Sequence, residues 1–260
     1  MGSRFFQIFL VVSGISLFST EAKSEAGCRP LDSRLQIGAN YTYARITPSG
    51  QVSSTGNLGG AQALYEFRAS NRVYGGLAFG WRQGDTEGAE GHRSLLIFDV
   101  EERIGGCLNA LHKKLTFVLF TGFGYRHYGE KVSGSSSSVR FNYNEFYIPV
   151  GCLFNGEVSP CFAIGLNAQW MPQVYPTVTI IPLTGARWII TDKLANFRVE
   201  VPFTATFSSC RHRFSLIFQP FFEYWQDGHT TATTESGTSL NVPGNTYLFA
   251  GADLNLRYSF

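Results

Sequence analysis

Twelve charged residues recur in step within this 260-residue sequence: Glu66, Arg68, Arg82, Asp99, Glu101, Arg103, Arg126, Arg198, Glu200, Glu223, Asp253 and Arg257. Six are carboxylates and six are arginines. Residues two apart on an extended chain share a face, so pairs such as Glu66–Arg68 and Arg198–Glu200 project together, opposite the apolar residues around them. Every base in the set is arginine, whose planar fork pairs bidentately with a carboxylate. Such a set supports two kinds of chemistry. If the groups meet, they form a salt-bridged plug; if water separates them, they form charged rings in a narrow pore.

Other chemistry-bearing residues are sparser. His92 and His229 fall in polar connections, with Asp85, Glu87 and Glu90 near the first and Asp227 near the second. They are read as solvated loop polarity, because no nucleophile motif or phosphate-binding loop accompanies them. Of the five cysteines, Cys152 and Cys161 flank one expected hairpin turn and are the candidate disulfide, although strict alternation puts them on opposite faces. Cys28, Cys107 and Cys210 are then an odd remainder. A second reading of Cys152 is a small buried hydrophobe sharing parity with Ile148 and Val150. No C-x-x-C or H-x-x-x-H spacing occurs, so neither a metal nor a cofactor is expected.

The elements that must position these residues are strands. Charged residues make up 15% of the chain and aromatics 15%, where a soluble domain carries about 25% charged. The formal net charge of +2 implies no nucleic-acid partner. A mean hydropathy of -0.03 is compatible with lipid, because a barrel turns only alternate residues outward. Ten alternating segments are read near 34–46, 58–69, 72–83, 94–105, 115–129, 139–153, 160–171, 197–208, 213–226 and 246–260. In one of them Phe162, Ile164, Leu166, Ala168 and Trp170 oppose Gly165, Asn167 and Gln169. Alternating strands cross lipid only as a closed barrel, since every backbone polar group there must be paired.

Connection lengths alternate as well. Those near 47–57, 84–93, 130–138, 172–196 and 227–245 read as long, and those near 70–71, 106–114, 154–159 and 209–212 as short. The expected fold is an all-β, antiparallel, up-and-down transmembrane barrel of about ten strands. The segment 173–192 is read as a surface loop because Pro172, Pro176 and Pro182 interrupt it. Twelve strands follow if it is two more, and eight if the third and fourth segments are misread. Tyr43, Trp81, Tyr125, Trp170, Tyr224 and Tyr258 suit aromatic girdles at the two membrane interfaces.

The first residues read as a secretory leader: Arg4, an apolar run from Phe5 to Phe18, and small residues at Ala22 and Ser24. The expected organisation is a removed signal peptide over 1–24, a periplasmic segment over 25–33 and a barrel over 34–260. At the other end, Leu254, Leu256, Tyr258 and Phe260 share one apolar parity against Asp253, Asn255, Arg257 and Ser259. With the leader, this aromatic-ended strand resembles the C-terminal assembly signal of small Gram-negative outer-membrane barrels of the OmpA, OmpX and OmpW types. The resemblance covers the mature chain in architecture and is motif-specific over the last thirteen or so residues. It implies an outer-membrane location, lipid contact, and recognition of the last strand by the barrel-assembly machinery. It also implies long loops that can meet an external ligand or surface partner. The functional expectation is a structural or surface-interaction barrel with a plugged lumen, not an enzyme. The alternatives are a narrow channel for small solutes, if the inward glycines Gly38, Gly76, Gly80, Gly122, Gly165 and Gly251 leave a water path, and an outer-membrane enzyme with a loop-borne site, since the family includes proteases and acyltransferases.

Overall fold

A computed structural model describes residues 32–69, 72–89, 91–110, 114–133, 138–181, 187–208, 213–233 and 242–260. The expected leader, Cys28 and Cys210 lie outside these residues. Every regular element described is a strand: β1 Asp32–Pro48, β2 Ser54–Arg68, β3 Val73–Gly88, β4 Gly91–Ala110, β5 Leu115–Ser133, β6 Ser138–Tyr147, β7 Val150–Ser159, β8 Phe162–Trp170, β9 Gln173–Ile181, β10 Arg187–Ile190, β11 Phe197–Glu200, β12 Phe203–Ser208, β13 Arg213–Gln226, β14 Thr230–Thr233 and β15 Asn245–Ser259.

Antiparallel pairing runs from β1 through β5, then β7, β8, β11 with β12, β13 and β15, and β15 returns to β1. The last contact runs the length of both strands, from Arg34 opposite Ser259 to Pro48 opposite Asn245. The result is a closed ten-stranded barrel. Closure leaves the ring without an edge. The Gly105–Gly106 pair lies inside β4, in register with Tyr74 and Val73, so the stretch after Glu101 continues as strand.

Two prolines divide ring positions. Pro149 separates β6 from β7, and Pro202 separates β11 from β12. Proline has no N–H to donate, so the ladder changes there. β7 pairs with β8, but β6 takes β9 instead, and the sheet continues through β10 to β14. The segment expected as a surface loop is therefore a strand pair that extends the wall at the end away from the start of β1 and the end of β15. Its proline is tolerated because the β6–β9 register already shifts between Asn144 and Phe146, beside Tyr175 at φ 52° and Pro176.

Several expected long loops are also strand. β3 and β4 stay paired up to Gly88 opposite Gly91, and β5 and β6 up to Ser133 opposite Ser138. At the other end, the turn expected over 154–159 is still β7, and the chain reverses after it at Pro160–Cys161. The end where β1 begins and β15 stops is called the near end below, and the opposite end the mouth.

The two faces invert the pattern of a soluble protein. Ile37, Leu77, Ile104, Leu119, Phe218 and Leu256 point outward and are exposed, while Arg82, Glu101, Arg126, Glu223 and Asp253 are buried inside. Aromatics mark the rims of the outer apolar belt: Phe197 stacks on Tyr224 at 5.6 Å toward the mouth, and Tyr258 contacts Phe214 and Phe260 at the near end.

Candidate functional site

The strands bring seven of the twelve sequence-selected residues into one connected group in mid-bore. Glu223 on β13 is fully buried and takes three arginines: Arg82 at 3.3 Å, Arg126 at 2.7 Å and Arg198 at 3.1 Å. Arg82 and Arg126 also hold Asp99, and Arg198 reaches Glu200 at 2.6 Å and Asp253 at 3.2 Å. The backbone sets these meetings up: Asp99 stands opposite Arg126 across β4–β5, and Arg198 opposite Glu223 across β11–β13. β5 and β13 lie far apart around the ring, so the Arg126–Glu223 bond spans the bore.

The other five are arranged around this hub. Glu101 binds Arg103 and accepts bonds from Tyr147 Oη at 3.0 Å and from Gln169 Nε2. Glu66 accepts from Tyr74 Oη at 2.8 Å. Arg257 donates to Gln36 Oε1, while the Nε of Arg68 is buried without an acceptor. The Glu200 Oε2, which Arg198 does not use, accepts from Asn167 at 2.9 Å and from Gln219 at 2.6 Å. Buried ions need such added bonds, because desolvation otherwise outweighs the pairing.

Toward the mouth the filling becomes largely aromatic and aliphatic, around a buried ion pair of Arg93 with Glu130. Tyr128, Tyr143, Tyr147, Trp225, Tyr247 and Phe249 pack with Val178 and Ile180 of β9 and Trp188 and Ile190 of β10. Tyr128 meets Tyr247 at 4.8 Å and Tyr147 meets Trp225 at 5.6 Å, both edge-on, the geometry that the ring quadrupole favours. Sequence reasoning did not find the joint between the layers. Arg126 lies 4.0 Å from the Trp225 ring centre, Arg198 4.3 Å from Phe221 and Arg82 5.1 Å from Phe249, and outside this joint Arg103 lies 4.9 Å from Phe120. Each guanidinium thus spends its edge on carboxylate and its face on an aromatic ring.

The sequence reading also passed over Arg34, Glu145 and Asp227 as lumen residues. Parity alone exposes the first two: Arg34 shares a face with Gln36, and Glu145 with Tyr143 and Tyr147. Asp227 accepts from Tyr247 Oη at 2.7 Å and Trp225 Nε1 at 3.2 Å, and lies within hydrogen-bonding reach of the Glu145 carboxyl. Gln173 at the start of β9 binds Glu145 and the Gln226 carbonyl, tying the extra strands to the ring.

Two of the inward glycines make room for neighbouring side chains. A Cβ at Gly38 would fall 1.9 Å from Asn255 Oδ1, and one at Gly165 would fall 2.7 Å from the Pro202 ring. The candidate Cys152–Cys161 bridge is not formed. Cys152 stands opposite Leu119 and Ala168 on the outer face, Cys161 is in the turn beyond β7, and both are free. Nearly the whole of β7 separates them. Cys107 packs inside against Tyr74, Val118 and Phe120. Leu254, Leu256 and Phe260 are exposed on the outer face, as their parity requires. His92 makes an exposed contact with Asp85 at the tip of the β3–β4 hairpin, and His229 lies beside Thr191.

No protein-family model matches the chain, and no curated protein matches it. Among solved structures it is similar to the translocator domain of autotransporter NalP from Neisseria meningitidis, at 10% identity and a TM-score of 0.48, covering 99% of this chain and 95% of that one. It is also similar to the transport unit of the autotransporter AIDA-I from Escherichia coli, at 13% identity and TM-score 0.46, over 98% and 97% of the two chains. A third similar structure is Ail, the attachment invasion locus protein of Yersinia pestis, at 10% identity and TM-score 0.36, over 86% and 99%.

Proposed function

We propose that this chain is an outer-membrane β-barrel with a sealed bore, which serves the envelope as a structural element and presents its mouth-side strands to the outside. The observation that carries this reading is the Glu223 hub: three arginines from well-separated strands converge on one fully buried carboxylate. Barrels of about eight strands are filled by side chains, whereas sixteen-stranded ones hold a channel. Ten strands lined with long arginines and capped by an aromatic layer fall on the filled side.

The exposed apolar belt supports the membrane location, since alternating strands with a lipid-facing side close into barrels there. On this reading the near end is periplasmic and the mouth, with β9, β10 and β14, is extracellular. Residues 1–24 are the export leader, and the apolar parity ending at Phe260 is the strand that the assembly machinery reads. Deleting Phe260, or making Leu256→Asp, is expected to reduce barrel insertion in cells sharply. Wild-type amounts of heat-modifiable barrel in both variants would remove the C-terminal signal from this account.

Planar-bilayer recording of the refolded protein tests the sealed bore. The expected result is little or no steady conductance. A large, stable single-channel conductance in the wild type favours a solute channel instead. Recovery of the protein as a soluble periplasmic species after gentle lysis ends the membrane reading altogether.

A further inference from the structure

The outer wall changes character just beyond the mouth-side aromatics. On β5 and β6, the Tyr125 and Phe146 rings pack at 5.2 Å on the outer face. Toward the mouth the next outward residues are His127 opposite Asn144, then Gly129 opposite Asn142, then Lys131 opposite Arg140. Tyr125 Oη donates to Asn144 Oδ1 at 2.7 Å, and His127 Nδ1 lies 3.1 Å from the same oxygen. The row through Asn142 continues to Thr179 on β9 and to the exposed Arg187 on β10. Rings therefore give way to amides, and amides to bases.

Lys131 and Arg140 are both exposed and stand directly across the β5–β6 ladder from each other. Like charges in that position repel and cost stability. Among the described residues neither is in an ion pair. The local sequence offers little to supply one. From His127 to Asn144 the single acid is Glu130, which turns inward onto Arg93. From Val174 to Thr191 there is none. On the other side, Asp85 lies two strands from Lys131, beyond Ser94. It accepts from Ser94 Oγ at 2.6 Å and contacts His92 at 3.2 Å.

Height decides which anion fits. Lys131 is six residues beyond Tyr125 on the same strand and face. At about 3.3 Å per residue, on a strand tilted by about 40°, its Cα stands roughly 15 Å above that ring. The headgroup layer of an ordinary leaflet is only about 5–7 Å deep. Long basic side chains reach back toward the membrane along apolar surface. Phosphates carried on a sugar head stand closer to them than a phosphodiester at the acyl boundary.

We propose that Lys131 and Arg140 bind the phosphate groups of a phosphorylated glycolipid seated against the β5–β6 wall. Its acyl chains lie on the stacked Phe123, Phe146 and Tyr125 rings, and its sugar lies on the His127–Asn144 row. The phosphate supplies the counter-charge that the chain itself does not place there. The inference rests on the outer-membrane reading, with the mouth facing outward.

The test is titration of the refolded mature chain in maltoside micelles with lipid A, a bis-phosphorylated diglucosamine lipid, followed by native mass spectrometry. Saturable adducts are expected in the wild type. A base near an anionic headgroup contributes enough that Lys131→Gln and Arg140→Gln should each weaken binding about fivefold, and the double variant about 25-fold. Arg140→Lys keeps the charge and should stay near wild type. Arg45→Gln, exposed on the outer face of β1, should bind as wild type. Heat-modifiable mobility checks that every variant is folded. Undiminished binding in the folded double variant overturns the site. Equal binding of dephosphorylated lipid A also overturns it and leaves acyl contact alone. Equal binding of phosphatidylglycerol overturns the choice of a sugar-borne phosphate. Capture of a soluble sulfated polysaccharide with no lipid A adduct gives the patch to a soluble polyanion instead. A wild type that enters phosphatidylcholine vesicles but holds no lipid A ends this inference alone; one that enters no vesicle ends the membrane reading with it.

Discussion

Within three residues of β13 the bore changes its chemistry. Glu223 is enclosed by Arg82, Arg126 and Arg198; two residues on, Trp225 is enclosed by Tyr147 and lies under the face of Arg126. Both side chains point inward and both are buried. They differ in how they tolerate loss. An ion-pair hub responds steeply: removing one member leaves its partners charged, buried and short of counter-charge. An aromatic layer is graded: removing a few carbons costs their transfer energy plus whatever cavity remains after relaxation. The mid-bore hub is therefore held by groups that need one another, and the aromatic layer around Trp225 by groups that act in sum.

The largest expected effect comes from breaking the hub at its centre. Glu223→Ala leaves three guanidiniums facing one another and is expected to destabilise the barrel by about 3–5 kcal/mol. Arg82→Ala and Arg198→Ala should follow in the same direction, and Lys131→Ala, exposed near the mouth, should change little. Urea unfolding in lipid vesicles, followed by heat-modifiable mobility, measures all four. If Glu223→Ala and Lys131→Ala unfold together, the hub is not what holds the barrel.

The mouth layer should respond less and more locally. Ile190→Ala on β10 removes a side chain 2% exposed, and is expected to cost about 2 kcal/mol, the low end for such changes because a rim layer can settle inward. Proteolysis should then cut the β9–β10 segment before the ring opens. Conductance should stay low, because the hub still fills the bore beneath. A steady current in Ile190→Ala alone would move the seal from the arginines to the aromatic layer.

How far the sequence reveals this molecule follows from which interactions are local. Period-two alternation exposed the inward carboxylates and arginines, because parity along one strand is a local property. The stacking of Arg126 on Trp225 or Arg103 on Phe120 depends on shear and register around the whole ring, which no single strand encodes. The prolines of 172–182 misled the reading of β9. A proline forbids a regular ladder, but Pro176 sits at a register shift where none is required. Arg34 needed no such information: its parity with Gln36, Gly38 and Asn40 already turns it inward.

The smallest effect expected has the opposite sign, and it sets the inside of the barrel against the outside with one residue type. Glu102 lies on β4 between Glu101 and Arg103, but its parity turns it outward, where it is exposed. Its cross-strand neighbours are Leu77 and Phe123, both exposed on the outer face. Its own strand places Ile104 beside it on that face. It is thus a carboxyl in the apolar belt with no cation described around it. Charge on the lipid face destabilises a barrel in a depth-dependent way, by about 2–4 kcal/mol for Arg or Lys at the midplane and less for acids. Glu102→Leu is therefore expected to stabilise the barrel by about 1 kcal/mol in vesicles, whereas the inward Glu223→Ala destabilises it severalfold more. The gain should shrink in detergent micelles, which admit water around the belt. A loss of stability in vesicles would mean that Glu102 is held by a partner there, and the outer face at β3–β5 would then not be a plain lipid surface.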